Sequence, residues 1–210
     1  MTARVPALLL CALLGTACAV PSPVVSQRSA AGPGIEVRKV ALAPFARGTL
    51  RAADVEQDGV DLIRSRVFEA LAEFTDWELV PPEEIDRWLE REQISTDGSG
   101  ASEIGPEAAR AFAADAVLYG SVRRYRSRLG GPRGSRRPAS VWFELELKLP
   151  DGTRLWRGTY REEQAAVSDN LLGLPRAASR GFQWVDASRL ALEGARELIG
   201  ALAREQRAWK

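Results

Sequence analysis

The segment from Asp115 to Glu163 constrains the fold more than any other part of the chain. It reads DAVLYGSVRRYRSR, then an Arg/Gly-rich loop, then VWFELELKLPDGTRLWRGTYREE. Two alternating runs flank Asp151-Gly152, the dipeptide best suited to a two-residue type I′ hairpin turn. Counting outward from that turn sets Leu147 opposite Trp156, Leu145 opposite Gly158 and Phe143 opposite Tyr160 on one face. The other face pairs Glu146 with Arg157 and Trp142 with Arg161. A slip of one residue would put every one of these side chains on the wrong face, so turn, period and cross-strand chemistry specify a single register.

The 210 residues suit one domain with one core and some length left for a tail. The first residues read as a targeting segment: Arg4 is a short positive region, Ala7 to Leu14 is apolar, and Gly15-Thr16-Ala17 are small. Such a short apolar run cannot span a bilayer as a mature helix, so residues 1–17 are read as a signal peptide. Small residues directly ahead of Cys18 resemble a bacterial lipoprotein signal, although Leu14 stands one place earlier than that pattern has its leucine. The resemblance implies that Cys18 becomes the first residue and carries a lipid into the membrane. It also implies that Ala19, which is not Asp, lets the protein travel to the periplasmic face of the outer membrane. The alternative is an ordinary secretory signal with Cys18 incidental.

Cys11 lies inside the signal, so the mature domain has no thiol and must be held by its core alone. Removing Arg4 from the 29 basic residues leaves 28 against 28 acidic ones. The mature chain is formally neutral, and the placement of its charges is more informative than their sum. Histidine is absent, which removes the commonest general base and metal ligand.

Residues 18–34, rich in Pro, Ser, Ala and Gly, read as a flexible tether with a reach of roughly 20 Å. Residues 35–210 read as one periplasmic domain. Val37 to Pro44 holds a continuous apolar run and reads as a buried strand. From about Asp58, Val60, Ile63, Val67, Leu71 and Phe74 share a helical stripe, with Arg64, Arg66 and Glu73 off it. Trp77 to Val80 is a short strand. Pro81-Pro82-Glu83-Glu84 opens a second helix with acids near its positive end. Pro106 to Ala114 is a short helix leading into the strand at Ala116. Asp186 to Arg207 is the last helix, where Gly194 and Gly200 each cost about 1 kcal/mol relative to Ala but permit close packing on a sheet. The order predicts an α+β fold: a single mixed β-sheet with early βαβ crossovers and a C-terminal antiparallel meander, packed by helices on one or both faces.

No catalytic constellation is present, since Ser/His/Asp and Cys/His sets are impossible and a zinc site would need carboxylates alone. Helix-start capping and strand ends account for Glu83, Glu84 and Asp86, and for Glu162 and Glu163. Phe45-Ala46-Arg47-Gly48 lacks the spacing of a phosphate loop. Neither a cofactor nor a metal is read from the chain, and the protein is read as not an enzyme. The basic cluster says more: Arg123, Arg124, Arg126, Arg128, Arg133, Arg136 and Arg137 occur with no acid between Ala116 and Phe143. They form either a solvated hairpin loop or an electrostatic patch for anions. An exported protein seldom meets nucleic acid, so lipid phosphates, cell-wall carboxylates or an acidic envelope partner fit the patch better. Leu171, Leu172, Leu174, Phe182 and Trp184 mark a second surface, for partner contact, inside a long connection from Gln164 to Val185. Those residues could also simply cap the sheet edge.

Two segments, Val40-Ala41-Leu42-Ala43-Pro44-Phe45 and Ala114-Asp115-Ala116-Val117-Leu118-Tyr119-Gly120-Ser121-Val122, resemble a group of envelope lipoproteins of the CsgG, LpoB and PelC kind, which share a fold with the N-terminal domain of TolB. The likeness covers roughly Ile35 to Glu163 and the last helix, and its motifs concern fold rather than catalysis. It implies a non-enzymatic lipoprotein that docks onto secretion, polysaccharide or peptidoglycan machinery, with a ring-forming homo-oligomer as the alternative. The short connections here cannot supply the membrane-crossing hairpins of a barrel wall.

Overall fold

The computed structural model describes residues 22–30, 34–48, 54–95, 104–131, 134–164, 185–207 and 209. The run Val40-Ala41-Leu42 forms strand β2 (Lys39–Leu42), a position flanked on both sides in the sheet, which is why it carries no polar alternation. Helix α1 (Gly59–Phe74) leads from it to the parallel neighbour β4 (Glu78–Val80). Helices α2 (Pro82–Arg91) and α3 (Gly105–Phe112) then lead to its other parallel neighbour, β5 (Ala116–Arg126). The antiparallel meander continues through β8 (Ser140–Lys148) and β9 (Arg154–Glu163) before helix α4 (Ala187–Gln206). The sheet is therefore mixed, with crossovers first and a meander last, as the element order predicts.

Alternation along the strands sorts side chains between two layers. Val40, Leu42, Leu118, Phe143, Leu145, Trp156 and Tyr160 share a core with the apolar stripes of α1 and α4. Ala41, Ala43, Val117 and Tyr119 pack with α2 and α3 instead. The two segments that carry the family resemblance meet here. The Asp115 carboxylate accepts hydrogen bonds from the backbone N–H groups of Arg38 (2.8 Å) and Lys39 (2.9 Å), locking the start of β2 beside β5. The Phe45 ring lies over Gly120, where a Cβ would come within 2.4 Å of ring carbons.

Every pair of the expected hairpin register is present: Leu147 with Trp156, Leu145 with Gly158, Phe143 with Tyr160, Glu146 with Arg157 and Trp142 with Arg161. The turn differs from a two-residue type I′ loop. The Gly152 N–H donates to the Leu149 carbonyl (2.9 Å) and Leu149 N–H to Thr153 (2.9 Å), so the loop is Pro150-Asp151-Gly152. Gly152 alone of the three has positive φ, +88°. This is a type I turn with Pro at its favoured second position, followed by a left-handed glycine. A three-residue loop shifts the pairing by one, and a bulge at Leu155 shifts it back, since Lys148 pairs with Arg154 but Leu147 with Trp156. Leu155 and Trp156 are consequently both buried.

Four strands lie outside the expected order. Strand β1 (Val24–Arg28) runs antiparallel to β9, so the tether read over residues 18–34 is interrupted by an edge strand. Strand β3 (Ala46–Arg47) extends along β5, and β6 (Leu129–Gly131) with β7 (Gly134–Arg137) form a separate two-stranded sheet inside the Arg/Gly-rich segment. Arg64, read as off the apolar stripe, is buried, whereas Phe74, read as on it, is exposed. The Arg64 guanidinium donates to both carboxylate oxygens of Asp86 (2.8 Å) and to the carbonyl of Leu42 (3.1 Å), tying α1 to α2 and to the end of β2.

Candidate functional site

Strand β5 delivers the first three arginines of the basic cluster to the end of the sheet where β8 begins and β9 finishes. A bulge between Val122 and Arg124 breaks the alternation, so Val122 and Tyr125 stay buried while Arg123 and Arg124 follow one another on the surface. Arg123 donates to Glu144 (2.8 Å). Arg124 and Arg126 both reach Glu163 (3.4 and 3.5 Å) and Asp54 (3.7 and 4.0 Å). Beyond them, on β7, Arg137 reaches Glu56 (3.5 Å), which also accepts from the backbone N–H and hydroxyl of Ser127. Arg128 donates to the Gly130 carbonyl, and Arg136 is exposed. Arg133 lies outside the described residues, as do Cys18 and the whole of Leu171, Leu172, Leu174, Phe182 and Trp184.

The structure therefore brings the described arginines together at one end but also supplies carboxylates from elsewhere in the chain. Distance in sequence hides that compensation: Asp54 and Glu56 precede α1, and Glu163 closes β9. The hairpin register alone could have found Glu163, because it faces Ser140, which faces Arg126. Nothing local points to Asp54 or Glu56.

A further group on the same surface includes two pairs of the expected register, Trp142 with Arg161 and Glu146 with Arg157, although the sequence did not mark them as a site. Trp142 of β8 stands between two guanidinium groups, with Arg161 4.8 Å and Arg123 5.8 Å from its ring centroid, within cation–π range. Below it runs a ladder of charges in which Glu144 accepts from Arg123 and Arg157 (2.8 Å each) and Glu146 contacts Lys148 (2.8 Å) and Arg157 (3.7 Å). Burial pushes the Glu144 carboxyl up, but the bonds from Arg123 and Arg157 outweigh it and hold its pKa below the ordinary value. Glu146 is depressed in the same way, with Lys148 as the main counterweight to burial. These carboxylates are held charged by cations, the opposite of what a general acid at neutral pH requires. The arrangement suits binding by charge and by ring stacking.

Fold and surface together define a class: an open mixed α+β sheet with crossovers first, a meander after them and a long helix last, here with arginines gathered at one end. Solved structures share that order of sheet and helices. PelC from Paraburkholderia phytofirmans, a dodecamer, superposes with a TM-score of 0.52 at 17% identity over 86% of this chain and 97% of its own. A point variant of the same PelC dodecamer gives 0.52 at 18% over 85% and 97%. Lipoprotein GNA1162 from Neisseria meningitidis gives 0.49 at 20% over 69% and 96%. At these identities the likeness is one of fold, and the chain has the fold of the PelC-like group. No protein-family model matches the chain, and no curated protein sequence does so significantly.

Proposed function

We propose that this protein is a non-enzymatic lipoprotein of the bacterial outer membrane. It is held at the periplasmic face by a lipid on Cys18, and its domain serves as a binding or scaffold component of an envelope complex for secretion, polysaccharide export or peptidoglycan synthesis. The observation that carries the reading is the PelC fold spanning 97% of the solved chain, joined to an N-terminal segment that resembles a lipoprotein signal. The carboxylates beside the arginines are held ionised by their partners, and this favours docking over acid–base chemistry. The arginine-rich end is the proposed contact for an anionic polymer or acidic partner, and Leu171, Leu172, Leu174, Phe182 and Trp184 form a second proposed contact.

A ring-forming subunit is the second reading, favoured by one observation: the PelC of the comparison is a dodecamer. Light scattering of the full-length protein, extracted in mild detergent, separates the two. A monomer or dimer supports a scaffold that meets other proteins, and a single large closed oligomer supports the ring. Recovery of the protein in the soluble fraction, with Cys18 unmodified, would refute both.

A further inference from the structure

We propose that strand β1 sets the orientation of the domain, turning the arginine-bearing end of the sheet toward the membrane, where Arg136 and Arg161 meet the phosphates of anionic phospholipid headgroups. The inference rests on the lipid anchor at Cys18 proposed above.

The argument starts from a strand that composition conceals. Strand β1 enters the sheet at its arginine end: Val24 faces Tyr160, and the Arg161 N–H donates to the Pro23 carbonyl (2.9 Å). Ser26 donates to Glu205 of α4 (2.6 Å), so the strand is fastened to helix as well as sheet. Residues 18 to 23 are five steps of chain. Whatever path they take, they span at most about 18 Å. A tether of sixteen free residues would leave every face of the domain equally able to meet the bilayer. Five residues ending beside Arg161 do not.

The same row of the sheet carries the chemistry. Across the strands, Arg124 faces Trp142, Trp142 faces Arg161, and Arg161 adjoins Pro23. The β6–β7 hairpin continues from this end, placing Arg136 and Arg137 beyond the sheet. Carboxylates are paired with Arg123, Arg124, Arg126 and Arg137. Arg136 and Arg161 are exposed and have no carboxylate partner among the described residues. They keep their charge available to phosphate oxygens. The opposite end, at the Pro150 to Gly152 turn, lies about 30 Å away along β9.

Because Cys18 is the mature chain's only cysteine, single introduced cysteines give clean labelling positions. Lipidated full-length Leu129→Cys, at an exposed position of the same β6–β7 hairpin, and Arg154→Cys would each carry a small fluorophore and be incorporated in vesicles of phosphatidylcholine with or without phosphatidylglycerol. Headgroup-nitroxide lipid is the quencher. The expected result in anionic vesicles is strong quenching at position 129 and almost none at 154, with the signal at 129 weakened in neutral vesicles or at about 1 M salt, where the Debye length falls to about 3 Å. The pair Arg136→Glu and Arg161→Glu should weaken quenching at 129 in anionic vesicles while the circular-dichroism spectrum stays that of the folded domain. Intact mass reports acylation separately. A protein without the lipid mass overturns the anchoring reading and this one with it. A lipidated protein quenched equally at both ends, or more at 154, overturns the orientation, and one quenched at 129 regardless of lipid charge, salt and the two reversals overturns the phosphate contact.

Discussion

Helix α4 contains two glycines that sequence reasoning treats alike, and the structure separates the outcome of the same substitution at the two positions. At Gly194 a Cβ would stand 2.5, 2.6 and 2.7 Å from ring carbons of Tyr160, a side chain that is itself 0% exposed and cannot swing away. At Gly200 the nearest atom is the far end of the Arg204 side chain at 3.5 Å, an ordinary contact. Replacing a helical glycine by alanine gains about 1 kcal/mol in both cases. Overpacking against a rigid buried neighbour costs about 1–3 kcal/mol, and only Gly194→Ala incurs it. Gly200→Ala should therefore stabilise the domain by up to about 1 kcal/mol, and Gly194→Ala should leave it unchanged or destabilise it by up to about 2 kcal/mol. The propensity term cancels in the difference between the two variants, so that difference measures the helix–sheet contact directly. At roughly 2–4 °C per kcal/mol for a chain of this size, thermal unfolding resolves it. Equal stabilisation by both substitutions would refute the close approach of α4 to Tyr160 and, with it, the placement of the helix on β9.

Gly152→Val should destabilise the fold by about 1–3 kcal/mol, because φ is +88° there and open space around the site leaves backbone strain as the only cost; an unchanged denaturation midpoint would contradict the turn. Arg64→Ala should cost about 1–3 kcal/mol by stripping the Leu42 carbonyl and Asp86 of their donor, less than a fully buried pair because Asp86 is 46% exposed and can turn to water. Equilibrium unfolding would measure it. Glu144 and Glu146 have depressed folded pKa values, so their contribution is present above the ordinary carboxylate value of about 4.3 and is lost as pH falls through the lower folded values. The melting temperature of the wild type should thus fall more steeply below about pH 4 than that of a Glu144→Gln, Glu146→Gln double variant.

The meander was legible because three independent local signals, period-2 alternation, a turn dipeptide and complementary cross-strand charges, all point to one register. Two local departures, a third loop residue at Pro150 and a bulge at Leu155, shift that register by one in opposite senses and cancel. Strand β1 was illegible for a physical reason: an edge strand needs few inward side chains, Val25 is 57% exposed, and the surrounding Pro and Ser residues have the composition of a linker. Arg64 defeats the rule that charge faces water because its partners, Asp86 and the Leu42 carbonyl, come from other elements. At the candidate site the gathering of arginines could be read from their spacing on β5, while their neutralisation by Asp54 and Glu56 depends on residues far from β5 in sequence, set beside it by the bridge of Val55 to Tyr125. The stacking of Arg161 and Arg123 on Trp142 follows from the register for the first pair and from a bulge for the second, so half of it was within reach.

The intact mass of the full-length protein, extracted from cell membranes with and without globomycin, tests the lipid anchor most directly. The account predicts a mature chain beginning at Cys18 with added acyl mass in untreated cells, an unprocessed precursor after treatment, and no lipid-modified form of Cys18→Ala. A chain cut at another residue, or one whose mass and membrane association are indifferent to both globomycin and Cys18→Ala, would contradict it.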